Sequence, residues 1–429
     1  MLIYCKLQED IMYTKDKLKS GITIVTEDIP YVNSVSIGVW IANGSRNENK
    51  YNNGISHLIE HMLFKGTPNR SARKIAEDIE GIGGQINAFT GKEATCFYVK
   101  VLDEHIDIAI DVLSDMLQNS TFKDEDLTRE KGVISEEINM YEDSPEDLVL
   151  DLLSQAMWPD TSIGYPILGT FDTLKSIGRE MIIKYMKDYY TADNTVVSVT
   201  GNFDREHLIK MLEMKFKNLE RKGKIPQYDK PELNNSVLYK AKDIEQIHLS
   251  LGLPGIEIGN DDLYTLLIIN NIFGGGTSSR LFQVIREEKG LAYSIYSYPS
   301  SYKNTGAFSI YAGLNPKYIA EVVKLIREEI EKMKITGINE EQLKKSKEQL
   351  KGNYILGLES ISGRMFGMGK SELLTDKIYE PKEIVSKIDH INIDDVNRVI
   401  KNIFGRGIIS AAAVGKLNKH FDLERILVQ

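Results

Sequence analysis

The order of secondary-structure signals in the first half of this chain recurs in the second. The two copies flank a polar stretch, Asn218 to Ser236, that carries Pro226 and Pro231 and no apolar period. In the first half an apolar run, Ser34 to Asn43, reads as a strand. It leads through polar residues to a helix holding His57 to Phe64, then to a basic helix and a strand beginning near Asn87. In the second half Ile247 to Gly255 precedes helices at Leu263 to Ile272 and Ser279 to Glu288, then strands at Tyr293 to Tyr298 and Gly306 to Leu314. Long amphipathic helices follow in both, Glu104 to Leu117 and Lys317 to Lys332. This pattern predicts an α+β fold of two similar domains, each an antiparallel-rich sheet covered by helices. The expected boundaries are 1–222 for the first domain, 223–236 for a linker and 237–429 for the second. A chain of 429 residues with 42% hydrophobic content can bury a core in each.

Only the first copy carries His57-Leu58-Ile59-Glu60-His61. On a helix, residues four apart share a face, so both imidazoles can reach one ion while Glu60 points to the same side. Zinc on three protein ligands keeps a position for water, whose proton a nearby carboxylate can take as general base. Glu60 is that carboxylate. A third ligand is sought on a separate element, and the charged helical segment Asp124 to Asp143 offers Glu130 and Glu137, two turns apart on one face. Glu137 suits a ligand, and Glu130 suits an acceptor that orients a ligating imidazole. Glu136 is adjacent to Glu137, and the helical pattern leaves open which of the two turns inward.

His57, Glu60 and His61, followed after 75 residues by Glu137 with Glu130 seven earlier, resemble the inverzincin metallopeptidases of the pitrilysin/insulinase family. That resemblance favours Glu137 over Glu136. It extends to Gly274-Gly275-Gly276-Thr277-Ser278-Ser279-Arg280-Leu281-Phe282 and the following Arg286 to Ser294. There it implies catalytic roles for Arg286, toward substrate backbone, and Tyr293, toward the scissile carbonyl, where a phenol donor stabilises developing negative charge. It also implies that Asn87, Ala88, Phe89 and Thr90 bind an extended peptide as an added strand. The length and glycine-rich pattern look most like bacterial relatives of the mitochondrial processing peptidase β subunit. The expectation is therefore a zinc endopeptidase with one zinc per chain, forming half of a clam-shell chamber that admits short or unfolded peptides. A homodimer is expected, a heterodimer being the variant. The competing expectation is a non-catalytic partner or assembly subunit of the same fold.

Other classes fit less well. Gly369-Lys370-Ser371 has Arg364 where a phosphate loop needs its first glycine, so nucleotide binding is not expected. With a net charge of −9 the chain implies no basic surface for nucleic acid or anionic membrane. No apolar run reaches the length of a membrane span, and the five-residue apolar start is too short for a signal peptide. Two cysteines, Cys5 and Cys96, form no disulfide framework. A cytoplasmic protein is expected.

Overall fold

The structure, a computed structural model, describes residues 13–417 and Glu424; Cys5 and the apolar start of the chain lie outside the described residues. Its first sheet has six strands in the order β1-β2-β6-β3-β5-β4. These are β1 (Thr14–Lys17), β2 (Thr23–Asp28), β3 (Ser34–Ile41), β4 (Gln85–Thr90), β5 (Thr95–Leu102) and β6 (Thr195–Gly201). The second has five in the order β7-β11-β8-β10-β9: β7 (Val237–Ala241), β8 (Ile247–Pro254), β9 (Ala292–Tyr302), β10 (Thr305–Leu314) and β11 (Ser410–Gly415). Setting β1 aside, the sheets correspond strand for strand. In each, the first two strands of that order are parallel (β2 with β6, β7 with β11) and every other pair is antiparallel. The duplication expected from the sequence is thus a duplication of topology.

The central strands are buried on both faces, so their residues are apolar or small at nearly every position, as in β3 (SVSIGVWI) and β6 (TVVSVTG). One face of the first sheet is covered by α1 (Ile55–Leu63) and α2 (Ala72–Glu80) over β4, and by α3 (Ile106–Asn119) over β3 and β5. The opposite face, which takes Gly38, Trp40 and Cys96, receives the helix Ile361–Thr375. Gly38 is there because a Cβ would strike the Met365 sulfur. The second sheet repeats the device. The helix α5 (Pro145–Met157), which follows α4 (Asp124–Asp143), lies across β8 and β11, and a Cβ on Gly252 would strike the Met157 sulfur.

The compact units are therefore not the two halves of the sequence. Among the described residues, one comprises 13–135, Ile167–Gln227 and Ile355–Ile384; the other comprises Glu136–Pro166, Tyr228–Tyr354 and 385–417. This differs from a simple division into 1–222 and 237–429, because each sheet is covered on one face by a helix from the opposite half of the chain. The first cut falls inside α4, which is one unbroken helix. Cys96 is fully buried, and burial pushes its thiol pKa up. Among the described residues no helix is long and apolar enough to cross a membrane.

Candidate active site

The helix α1 is short, and its start is held from outside. Its N-cap is Gly54, with φ of +93° and no side chain to offer, and a Cβ there would collide with the Leu168 carbonyl. Glu48 takes over the capping. Its buried carboxylate accepts from the Gly54 N–H at 2.7 Å, the Ser56 N–H at 2.8 Å and the Asn53 side-chain amide at 2.9 Å. Asn43 donates to the Ser56 hydroxyl at 3.2 Å, and the Tyr185 hydroxyl donates to Asn43 at 2.9 Å, so the first turn of α1 rests on a connected buried network. Just before it, Arg46 donates to Glu93 at 2.5 Å with both side chains buried, joining the loop that enters α1 to the turn between β4 and β5.

Burial pushes the Glu48 carboxyl pKa up to about 7 from its ordinary 4.5, and the hydrogen bonds to its charged form offset this only in part. Because the fold favours the neutral acid, the native state holds more protons than the unfolded chain between those values. The contribution is complete below pH 4.5 and is lost as pH rises through about 7. Denaturant midpoints are accordingly expected to fall across that window. Glu48→Gln, which cannot ionise, should flatten the decline; an identical slope in wild type and variant would remove Glu48 as its source.

Along α1, Ile55, Leu58, Ile59 and Met62 are buried, leaving His57, Glu60 and His61 half-buried on the remaining face. The two imidazole centroids stand 4.7 Å apart. Burial, reinforced by the charge of His61, holds His57 down to a pKa of about 3, so its ring is neutral and able to ligate. The helix α4 turns Leu127, Glu130, Ile134 and Ile138 inward, leaves Glu136 exposed and half-buries Glu137. One ligand atom from each of His57, His61 and Glu137 can be chosen so that all lie within 4.8 Å of one another. Two imidazoles and one carboxylate at that spacing fit a tetrahedral zinc, with ligand bonds of about 2.0–2.2 Å. Glu130 Oε2 lies 3.2 Å from His61 Nδ1, so Nδ1 is the donor and Nε2 is left for a cation.

Glu60 is tied to the sheet edge, since the Thr90 hydroxyl donates to Glu60 Oε2 at 2.5 Å. Thr90 closes β4, the last strand in its sheet. Its four expected peptide-binding residues divide between two faces. Ala88 and Thr90 lie on the α1 side. Asn87 and Phe89 lie on the other, where Phe89 meets Trp40 edge-to-face at 5.6 Å and packs near Phe366 at 5.9 Å. The Asn87 side-chain oxygen accepts from the Ala88 N–H at 2.8 Å.

Arg286 and Tyr293 form a separate grouping. The stretch read as an ordinary helix contains a π-helix, Phe282–Glu288, and the Arg286 guanidinium lies 4.7 Å from the Phe282 ring and 5.6 Å from the Tyr293 ring. Tyr293 departs from simple strand alternation. Ser294 pairs with Gly313 and Ala292 with Leu314, so Tyr293 is the extra residue of a β-bulge and is 74% exposed. Beside it a cleft of about 390 Å³ is lined by Gly274 to Thr277, Phe282, Arg286 and Ser294 to Ser297.

Sequence reasoning passed over Glu48, the Thr90–Glu60 contact and Lys65, whose ammonium lies 2.8 Å from Glu130 Oε1. Only Lys65 left a signal, standing four residues after His61 and so one helical turn on.

Residues 23–171 match the family model described as insulinase, peptidase family M16, and residues 176–350 match the one described as the peptidase M16 inactive domain. The chain is 48% identical to the zinc protease YmxG of Bacillus subtilis, across 90% of this chain and 94% of that protein. It is 38% identical to a zinc protease of Streptomyces coelicolor, across 91% and 86%. Among solved structures, a protease from Helicobacter pylori shares the fold with a TM-score of 0.89 at 22% identity, covering 95% of this chain and all of the other. A chain of complex III2 from Candida albicans shares it at 0.85 and 22% identity, covering 98% and 99%. Family models over both halves and close relatives along nine-tenths of its length place this chain in the insulinase family of peptidases, M16.

Proposed function

We propose that this protein is a zinc-dependent endopeptidase that hydrolyses short or unfolded peptides lying as an added strand along β4, with Glu60 as general base. The observation that carries the reading is the approach of His57, His61 and Glu137 to one another beside a Glu60 that is hydrogen-bonded to the edge strand. When bound, zinc supplies Lewis acidity that makes water a nucleophile near neutral pH. Glu60 takes the proton from the attacking water and returns it to the leaving amine nitrogen. The open edge of β4 supplies main-chain hydrogen bonds to any extended peptide, so binding depends on an available strand of backbone rather than on one side chain. Phe89, on the face away from Glu60, offers an apolar surface to alternate side chains of the peptide.

Arg286 binds peptide backbone, and Tyr293, raised on its bulge, donates to the oxygen on which charge develops. Two copies of the chain, identical or paired with a related one, enclose the chamber. Each copy holds one zinc, since the second half lacks a His-Glu-His set.

Purified protein is expected to carry one zinc and to cut an unstructured peptide pool, read by mass spectrometry, while sparing a folded domain. A chelator should stop cleavage and added zinc restore it. Cleavage that persists in metal-free protein, or an intact pool in zinc-loaded protein, would overturn the reading.

A further inference from the structure

We infer that Lys65 is a positioning residue of the metal centre, acting through Glu130 to hold His61 with Nδ1 as donor and Nε2 toward the cation. This rests on the zinc-peptidase reading above. The chain of contacts is short: Lys65 Nζ to Glu130 Oε1 at 2.8 Å, then Glu130 Oε2 to His61 Nδ1 at 3.2 Å. Glu130 is 3% exposed, so bulk water gives little help in orienting or balancing its carboxylate, and its two oxygens meet two different groups. A carboxylate held at both oxygens has a fixed plane. Held at one, it can swing its acceptor off the Nδ1–H and free the imidazole to turn about its own bond.

The placement of the ammonium is built into the backbone. Lys65 follows the last turn of α1, and its N–H still donates to the Met62 carbonyl at 3.1 Å. Gly66, at a φ of +116° that favours glycine, turns the chain away and accepts from the Thr121 N–H at 3.1 Å. Ser120 donates to the Leu63 carbonyl at 3.3 Å. Ser120 and Thr121 lead directly into α4, which carries Glu130. One set of contacts therefore sets both where the lysine stands and where the helix of its acceptor begins. With 30% of its side chain exposed, Lys65 can be changed without opening the core.

The test measures zinc affinity by competition with a chromogenic chelator, and the visible absorption of the cobalt-substituted protein, in Lys65→Met, Lys65→Arg, Glu130→Gln and the double variant Lys65→Met/Glu130→Gln. Loss of an outer partner of a metal ligand typically weakens the metal about 10–100-fold. Lys65→Met should fall at the lower end of that range and alter the cobalt bands. Lys65→Arg, which keeps charge and donors, should recover most of the loss. On the Glu130→Gln background Lys65→Met should add little, because the route through the carboxylate is already cut. Zinc held as tightly by Lys65→Met as by wild type, or an equal loss on both backgrounds, would overturn the inference while leaving the peptidase reading intact. A wild type that neither holds zinc nor cuts peptides would overturn both.

Discussion

Glu60→Gln is expected to retain its zinc and to lose peptide hydrolysis by about 10²–10⁴-fold in kcat, the usual span for removal of a positioned general base. The separation of the two effects follows from geometry. The ligand atoms that gather come from His57, His61 and Glu137, and Glu60 is outside that set. Glutamine keeps the shape of the side chain and an oxygen that accepts from Thr90, so α1 and the end of β4 stay joined. What it lacks is the ability to take a proton. Metal content by atomic spectroscopy and cleavage by mass spectrometry, on the same preparation, read the two quantities independently. Equal turnover by wild type and variant would remove Glu60 from the chemistry.

The second large effect is expected at Glu137, with Glu136 as its internal control. Glu137→Gln withdraws the anionic ligand from a site otherwise made of two imidazoles, so zinc should be lost on dialysis and cleavage should drop to the level of metal-free protein. Glu136 is exposed on the preceding position of the same helix, and Glu136→Gln should leave metal content and rate unchanged. The pair shares the helix, the chemistry of the substitution and the change in net charge, so only the direction of the side chain distinguishes them. If both variants keep zinc, or both lose it, the assignment of the third ligand is wrong.

How far the sequence could be read depends on the range of the physics involved. Helical period placed α4 at Asp124 to Asp143, the span it occupies, because one apolar stripe with acidic residues at its first turn is a local signal. The same period put Glu130 and Glu137 on one face but could not separate Glu137 from Glu136, since the choice is made by what packs against the helix. The topological repeat was readable because strands and helices recur in order. The destination of α5 and of Ile361–Thr375 was not, because amphipathicity says which side of a helix is apolar and not which sheet receives it. Gly38 and Gly252 mark the receiving strands, but a glycine in a strand admits several readings until its neighbour is seen. Tyr293 looked like a regular strand residue because its bulge arises from the register with Gly313 and Leu314 on another strand. Glu48 gave no sign at all, as it caps a helix that begins several residues after it.

The crossing of helices between the halves also bears on the order in which the chain can become complete. At the ribosome, a nascent chain that has reached residue 201 has all six strands of its first sheet, yet Trp40 and Cys96 lack the cover that Ile361–Thr375 will bring. That cover emerges more than 150 residues later, after most of the second sheet has been made. Maturation of the first sheet therefore waits on synthesis of the second half, and such sequence-distant closure slows folding. Neither contiguous half, expressed alone, contains everything its own sheet needs.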